Sequence, residues 1–227
     1  MAGKMEGIRA VAFDAYGTLF DFTSPAERVS AALGDQWRAF AELWRAKQLQ
    51  YTWLRGLAGR HADFWKVTAD ALDFAMESFG IRDAALRDRL MGLYERLDAY
   101  ADARETLTRL RAHGLRLAVL SNGAPPMLEA ATRSAGLGGL LDAVLSVEEV
   151  GVFKPHPAVY QLAVDRLSVA PESLAFVSAN GWDAFSAQAF GLRAAWCNRA
   201  GQPPERIPAT PEAEIRTLAD LPALLGA

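Results

Sequence analysis

The sequence predicts an α/β protein built on a parallel sheet, with a block of helices inserted after the first strand. Three observations carry this reading. A short apolar run at 8–13 ("IRAVAF") ends at Asp14, and at 24–98 apolar residues recur every three or four positions. From Ala99 onward, strand-like runs alternate with helical ones, as in a parallel sheet covered by helices.

Each element has its own justification. "IRAVAF" is continuously apolar, as a strand buried on both faces should be. Within 24–98, "WRAFAELWRAKQLQYTWLRGL" and "ALRDRLMGLYERLDAY" gather their apolar residues on one helical face, and no strand interrupts them. "ARETLTRLRAH" reads as a helix stopped by Gly114, a natural C-terminal cap, with "LRLAVL" following as a strand. A helix near 125–135, the apolar segment "LDAVLSV", a helix near 157–167 and the strand "LAFVS" come next. A helix near 183–190 leads to "RAAWCN", and a final strand–helix pair falls within 213–226.

Composition narrows the function classes. The 227 residues are 51% hydrophobic and 22% charged, ordinary for a globular protein with a well-buried core. A net charge of −3 without a Lys/Arg stripe argues against nucleic acid as a partner. The single cysteine, Cys197, excludes an internal disulfide and points to a reducing compartment. "MAGKMEGIRA" lacks the apolar core of a signal peptide, and no apolar run approaches the ~18 residues that cross a bilayer. A cytoplasmic protein with no membrane partner is therefore expected. His61, His113 and His156 lack metal-ligand spacing and read as surface or loop residues.

Ligands of open parallel sheets bind beyond the carboxyl ends of the strands. Polar residues collect at those ends here. The first strand stops at Asp14, with Thr18 just after it; the second is followed by Ser121 and Asn122. "VGVFKP" brings Lys154, and "LAFVS" runs into Ser178, Asn180 and Asp183. Singly, each has a simpler reading: Ser121 and Asn122 as helix-capping residues, Lys154 as a solvated lysine, Asp183 as a favourable charge at a helix N-terminus. Jointly, an acid, a cation and amides at successive strand ends exceed what capping needs. An active site is the better reading, and capping can coexist with it.

"FDAYGTLFD", "LSNG", "VFKP" and "FVSANGWDA" resemble, in order, the four motifs of the haloacid dehalogenase superfamily. The resemblance implies a doubly wound, Rossmann-like core of residues 1–20 and 99–227, with a helical cap at 21–98. It also makes Asp14 the nucleophile. Most members of the superfamily transfer phosphate and resemble one another in a second Asp two positions on, which protonates the leaving alkoxide. This sequence has Tyr16 there. An alkoxide needs a proton to leave and a halide does not, so the change damages a phosphatase but not a dehalogenase. Ser178 likewise stands where phosphatase relatives begin their fourth motif with an acid. The expectation is a site without metal or cofactor. Lys154 would lie beside Asp14, a neighbouring cation favouring the charged form of a carboxylate.

The segment "LWRAKQLQYTWLRGLAGRHADFW" resembles the cap of L-2-haloacid dehalogenases, which implies that Arg45 is catalytic. A guanidinium is always charged and weakly hydrated, which suits a departing halide, although a surface helix arginine beside Trp44 would look the same. Leu49, Phe64 and Trp182 become apolar walls, a role that core packing also explains. The implied reaction converts a small-molecule L-2-haloacid to a D-2-hydroxy acid and halide. Ser121 and the amides of Ala15 and Tyr16 would bind the substrate carboxylate; Arg45, Asn122 and the Trp182 edge would receive the halide. Asp183, oriented by Lys154, Ser178 and Asn180, would activate water, with Thr18 stabilising the oxyanion. Tyr160 matches a family tyrosine and would position Lys154. The apolar cap is a candidate homodimer face. Two other readings stand beside this one: a Mg²⁺-dependent phosphatase or phosphonate hydrolase of the same superfamily, and a non-enzymatic binder of small carboxylates. An anion binder gains nothing from Asp14 and Asp183.

Overall fold

Ala10–Phe13 form strand β1 and all four residues are buried. A strand without a polar face must be covered on both sides and paired at both edges. Both conditions are met in the computed structural model of the chain, which describes residues 4–21, 30–95 and 97–227. β1 pairs in parallel with β4 (Arg116–Ser121) on one side and β6 (Leu174–Ser178) on the other, with Phe13 opposite Val119 and Val177. β5 (Ala143–Ser146) lies beyond β4, while β7 (Arg193–Cys197) and β8 (Ala213–Ile215) lie beyond β6. The order is β5-β4-β1-β6-β7-β8, parallel throughout.

Between β1 and β4 runs a helical segment. α1 (Trp37–Leu57) packs against α2 (Phe64–Ser78), and α3 (Ala84–Gly92) follows. α1 buries Phe40, Trp44, Gln48 and Thr52, one stripe at four-residue spacing. Asp63 and Asp83 cap α2 and α3, accepting from the amides of Lys66 (2.8 Å) and Leu86 (2.9 Å). The helical reading over 24–29 falls outside the described residues. The expectation of no strand in 24–98 needs correcting: Asp98–Ala99 (β3) pairs antiparallel with Phe20–Asp21 (β2). Two residues are too few to show alternation, and their partner lies far away in sequence. The ribbon stitches together the two passages of chain between sheet and helices, aided by the Tyr100 amide on the Leu19 carbonyl (2.9 Å).

After the helical segment come α4 (Ala103–Ala112), α5 (Pro125–Ser134), α6 (Pro157–Leu167), α7 (Gly181–Phe190) and α8 (Leu221–Leu225). The chain moves outward from β1 through β4 to β5, then returns across the sheet to β6. Right-handed crossovers put α4 and α5 on one face and α6 and α7 on the other, a doubly wound sheet. The reversal beside β1 opens a crevice at the carboxyl ends of β4, β1 and β6. That crevice receives Asp14, Ser121 and Ser178.

Candidate active site

A charged carboxylate stands at the end of a buried strand because four donors converge on it. The Asp14 amide continues the sheet ladder to the Val177 carbonyl (2.9 Å), which fixes where its side chain begins. The chain then turns sharply at Gly17, whose φ of 87° only glycine adopts without strain. Gly17, Thr18, Leu19 and Phe20 spend their amide hydrogens within this turn. It returns the Thr18 hydroxyl to Asp14, where Oγ1 donates to Oδ2 (3.1 Å) and accepts from the Ala179 amide (2.8 Å).

β6 delivers the second group of donors. Ser178 Oγ donates to Asp14 Oδ2 (3.4 Å) and accepts from the Asn180 amide (3.1 Å). Asn180 occupies the N-cap of α7 but makes no side-chain cap. Its Nδ2 donates instead to Asp14 Oδ2 (2.8 Å) and to the Tyr16 carbonyl (3.2 Å). A forgone cap costs about 0.5–2 kcal/mol, so this orientation answers to the site rather than to the helix. Among the described residues Oδ2 thus accepts three hydrogen bonds, while Oδ1 meets only Lys154 Nζ, at 3.2 Å.

Lys154 joins the two carboxylates. Its side chain is 1% exposed, and Nζ lies 2.8 Å from Asp183 Oδ2 and 3.2 Å from Asp14 Oδ1. Burial alone lowers its pKa, but Asp14 and Asp183 outweigh burial and raise it, so it stays charged. Burial pushes Asp183 up to about 6, the nearby Asp14 charge adding to the rise and Lys154 opposing it. Divalent cations that assist phosphoryl transfer sit among carboxylate oxygens. Here the space between the two carboxylates holds the lysine ammonium itself. Lys154→Met is expected to cost about 3–5 kcal/mol by leaving buried carboxylates uncompensated, measurable by denaturant unfolding. The same variant should raise the Asp183 pKa further.

Tyr160, expected to position Lys154, instead donates its hydroxyl to Asp183 Oδ1 (2.8 Å). Burial, and then the Asp183 charge, push this phenol well above its usual range, so it remains a donor. Ser178 and Asn180, expected to orient Asp183, orient Asp14. The reason is register: Ser178 ends β6, directly beside the end of β1, whereas Asp183 lies in the first turn of α7. Ser121 Oγ accepts from the Gly123 amide (3.0 Å), and Asn122 Oδ1 accepts from the Lys154 amide (3.0 Å). Among these bonds neither touches Asp14. Asn122 anchors the backbone that carries Lys154.

The helical segment supplies the opposite wall. Arg45 Nη2 donates to Asn180 Oδ1 (3.3 Å), bringing the guanidinium to the residue that holds Asp14. Its Nη1 donates to Gln48 Oε1 (2.6 Å). The Tyr16 ring stacks on Phe64 (6.1 Å) and meets Tyr94 edge-on (5.8 Å). Burial raises the Tyr16 phenol far above its usual range, so this residue keeps its proton. A Cβ on Gly123 would lie 2.9 Å from this ring and from Leu128, which explains glycine there. Phe64 packs on Phe153 (6.3 Å), Trp182 meets Trp53 edge-on (5.6 Å), and Leu49 is half-buried on α1.

Two features were not read from the sequence. Gln48 lies in the buried stripe of α1, three positions from Arg45; a polar residue on an apolar helical stripe was the available signal. Arg199 makes a paired bond to Asp102 (2.9 and 3.0 Å), donates to the Thr18 carbonyl (3.1 Å) and covers the Tyr100 ring (4.0 Å). Burial raises Asp102, but Arg199 outweighs burial and holds it below the usual carboxylate range. This clamp braces the turn that carries Thr18, and no local pattern announces it.

The haloacid dehalogenase-like hydrolase family matches residues 8–191. The chain is 45% identical to (S)-2-haloacid dehalogenase 1 of Pseudomonas sp. (strain CBS-3), over 97% of this chain and 98% of that one. It superposes with a TM-score of 0.90 on L-2-haloacid dehalogenase from Xanthobacter autotrophicus with chloropropionic acid covalently bound. That match is 38% identical and covers 97% of this chain and 99% of the other. A dehalogenase solved as an intermediate complex gives a TM-score of 0.95 at 42% identity, covering 98% and 99%.

Proposed function

We propose that this chain, which belongs to the haloacid dehalogenase-like hydrolase family, hydrolyses L-2-haloalkanoic acids to D-2-hydroxy acids and halide through an ester on Asp14. The observation that carries the reading is the unequal hydrogen bonding of Asp14 among the described residues: three donors on Oδ2 and only Lys154 on Oδ1. The less encumbered Oδ1 attacks C2 from behind the carbon–halogen bond, and the bond's electron pair leaves with the halide. The substrate carboxylate binds Ser121 and the amides of Ala15 and Tyr16; the halide goes to Arg45, Asn122 and the edge of Trp182, with Leu49 and Phe64 as apolar walls. Excluding water there strengthens every charge interaction in the pocket.

The second step uses the other carboxylate. Asp183, held by Tyr160 and Lys154, takes a proton from water, and the resulting hydroxide adds to Asp14 Cγ. Negative charge develops on Oδ2, where Thr18, Ser178 and Asn180 already donate. The Cγ–Oδ1 bond then breaks beside the Lys154 ammonium. The departing alkoxide takes up one proton, and one proton per turnover is released to solvent. Esterification removes the Asp14 charge, one cause of the raised Asp183 pKa, so the base is better ionised in this step.

Residues 21–98 serve as the cap on a core of 1–20 and 99–227, the β2–β3 ribbon lying at their junction. No helix among the described residues is long and apolar enough to cross a membrane. The buried, unpaired Cys197 supports a cytoplasmic location. Exposed Trp53, Leu54 and Leu57 near the end of α1 support a homodimer through the cap. Halide release from L- and D-2-chloropropionate, with and without EDTA, tests the activity. Release from the L isomer alone, insensitive to EDTA, is expected. Mg²⁺-dependent turnover of p-nitrophenyl phosphate, with none of the haloacids, would overturn it.

A further inference from the structure

Gln48 is wholly buried in the seam between α1 and α2, where a leucine or methionine would pack with no polar group to desolvate. Its hydrogen bonds explain the choice. The Thr68 hydroxyl spends its hydrogen on the Phe64 carbonyl (2.6 Å), so its oxygen can only accept. It therefore faces the Gln48 amide nitrogen, which donates to it at 2.7 Å and to the Tyr94 hydroxyl at 3.3 Å. With Nε2 committed to these two, Oε1 is turned to Arg45 Nη1 at 2.6 Å. Trp44 fixes the same turn of α2 by donating Nε1 to the Thr68 carbonyl (3.0 Å).

We propose that Gln48 is a positioning residue, which with Thr68 and Tyr94 holds the Arg45 guanidinium rigidly toward Asn180 and the departing halide. The proposal rests on the halide-accepting reading of Arg45. A long arginine side chain otherwise samples many rotamers, and a cation aimed in advance at charge that develops in the transition state raises kcat more than it lowers KM. Removing the aim matters most when the leaving group is poorest.

Gln48→Met is expected to lower kcat for L-2-chloropropionate about 10²-fold. The loss for L-2-bromopropionate should be smaller, and KM should change little. Thr68→Val, which frees the Gln48 amide, should show the same selectivity and serves if Gln48→Met folds poorly. Adding Gln48→Met to Arg45→Met should cost nothing further. Equal losses for both halides, multiplicative losses in the double variant, or unchanged kinetics in Gln48→Met and Thr68→Val would overturn the proposal. Should the unmodified protein release no halide from any 2-haloacid, the reading of function fails separately. The relay is then decided by the Arg45 Nε–Hε NMR signal, identified by its loss in Arg45→Lys. That signal should shift in both Gln48→Met and Thr68→Val, and an unmoved signal overturns the relay.

Discussion

Asp14→Asn is expected to release no measurable halide from L-2-chloropropionate, a loss of at least ~10⁴-fold, because the attacking atom itself is gone. The fold should survive. An asparagine Oδ1 in place of the aspartate Oδ2 still accepts from Thr18, Ser178 and Asn180, and Lys154 still has Asp183 at 2.8 Å. The amide nitrogen then faces Lys154 and cannot act as a nucleophile. In the unmodified protein, a single turnover in ¹⁸O water with enzyme in excess should give product whose new hydroxyl is unlabelled, its oxygen having come from Asp14 Oδ1. The label should remain in the Asp14 carboxylate. Solvent oxygen in the product of that first turnover would exclude the ester.

Asp183→Asn should separate the two steps. The ester still forms, because Asp14 and Arg45 are intact, and one equivalent of halide per site is released in a burst. Steady turnover then falls about 10²–10⁴-fold, the usual contribution of a positioned general base. Mass spectrometry of quenched protein should find the substrate's halogen-free 1-carboxyethyl group added to the peptide carrying Asp14. The pH dependence follows from the same residue. Asp183 titrates at about 6 in the free protein because burial outweighs the opposing charge of Lys154. A protonated Asp183 cannot accept a proton from water, so hydrolysis of the ester should fall as the pH drops. Losing the Asp14 charge lowers the Asp183 pKa, so the acid limb of kcat should lie below about 6 and vanish in Asp183→Asn. Steady turnover near the unmodified rate, or no burst, would remove Asp183 from this role.

How much of this was legible beforehand depends on the range of the physical cause. The strands were legible because burial on both faces leaves a continuous apolar run, and the acid, amides and cation were legible as interruptions at the ends of such runs. Tyr16 was informative through the resemblance, since it stands where phosphatase relatives carry the acid that protonates an alkoxide. The β2–β3 ribbon was not legible, being two residues long on each side. Gln48 was visible as a polar residue on an apolar stripe, but its meaning required Thr68 and Tyr94, which lie on other elements.

The amino-acid sequence by itself determined the architecture, the nucleophile candidate and the preference for a leaving group that needs no acid. The architecture follows from periodicity and strand-end chemistry, which are local properties; the nucleophile and the leaving-group preference follow from what the four motifs resemble. Tertiary structure alone decided who bonds to whom: Ser178 to Asp14 across 164 positions, Tyr160 to Asp183 rather than to Lys154, and Arg199 to Asp102 and Thr18. Hydrogen bonds reach about 3 Å, and only the order and register of the strands bring such distant residues within that range.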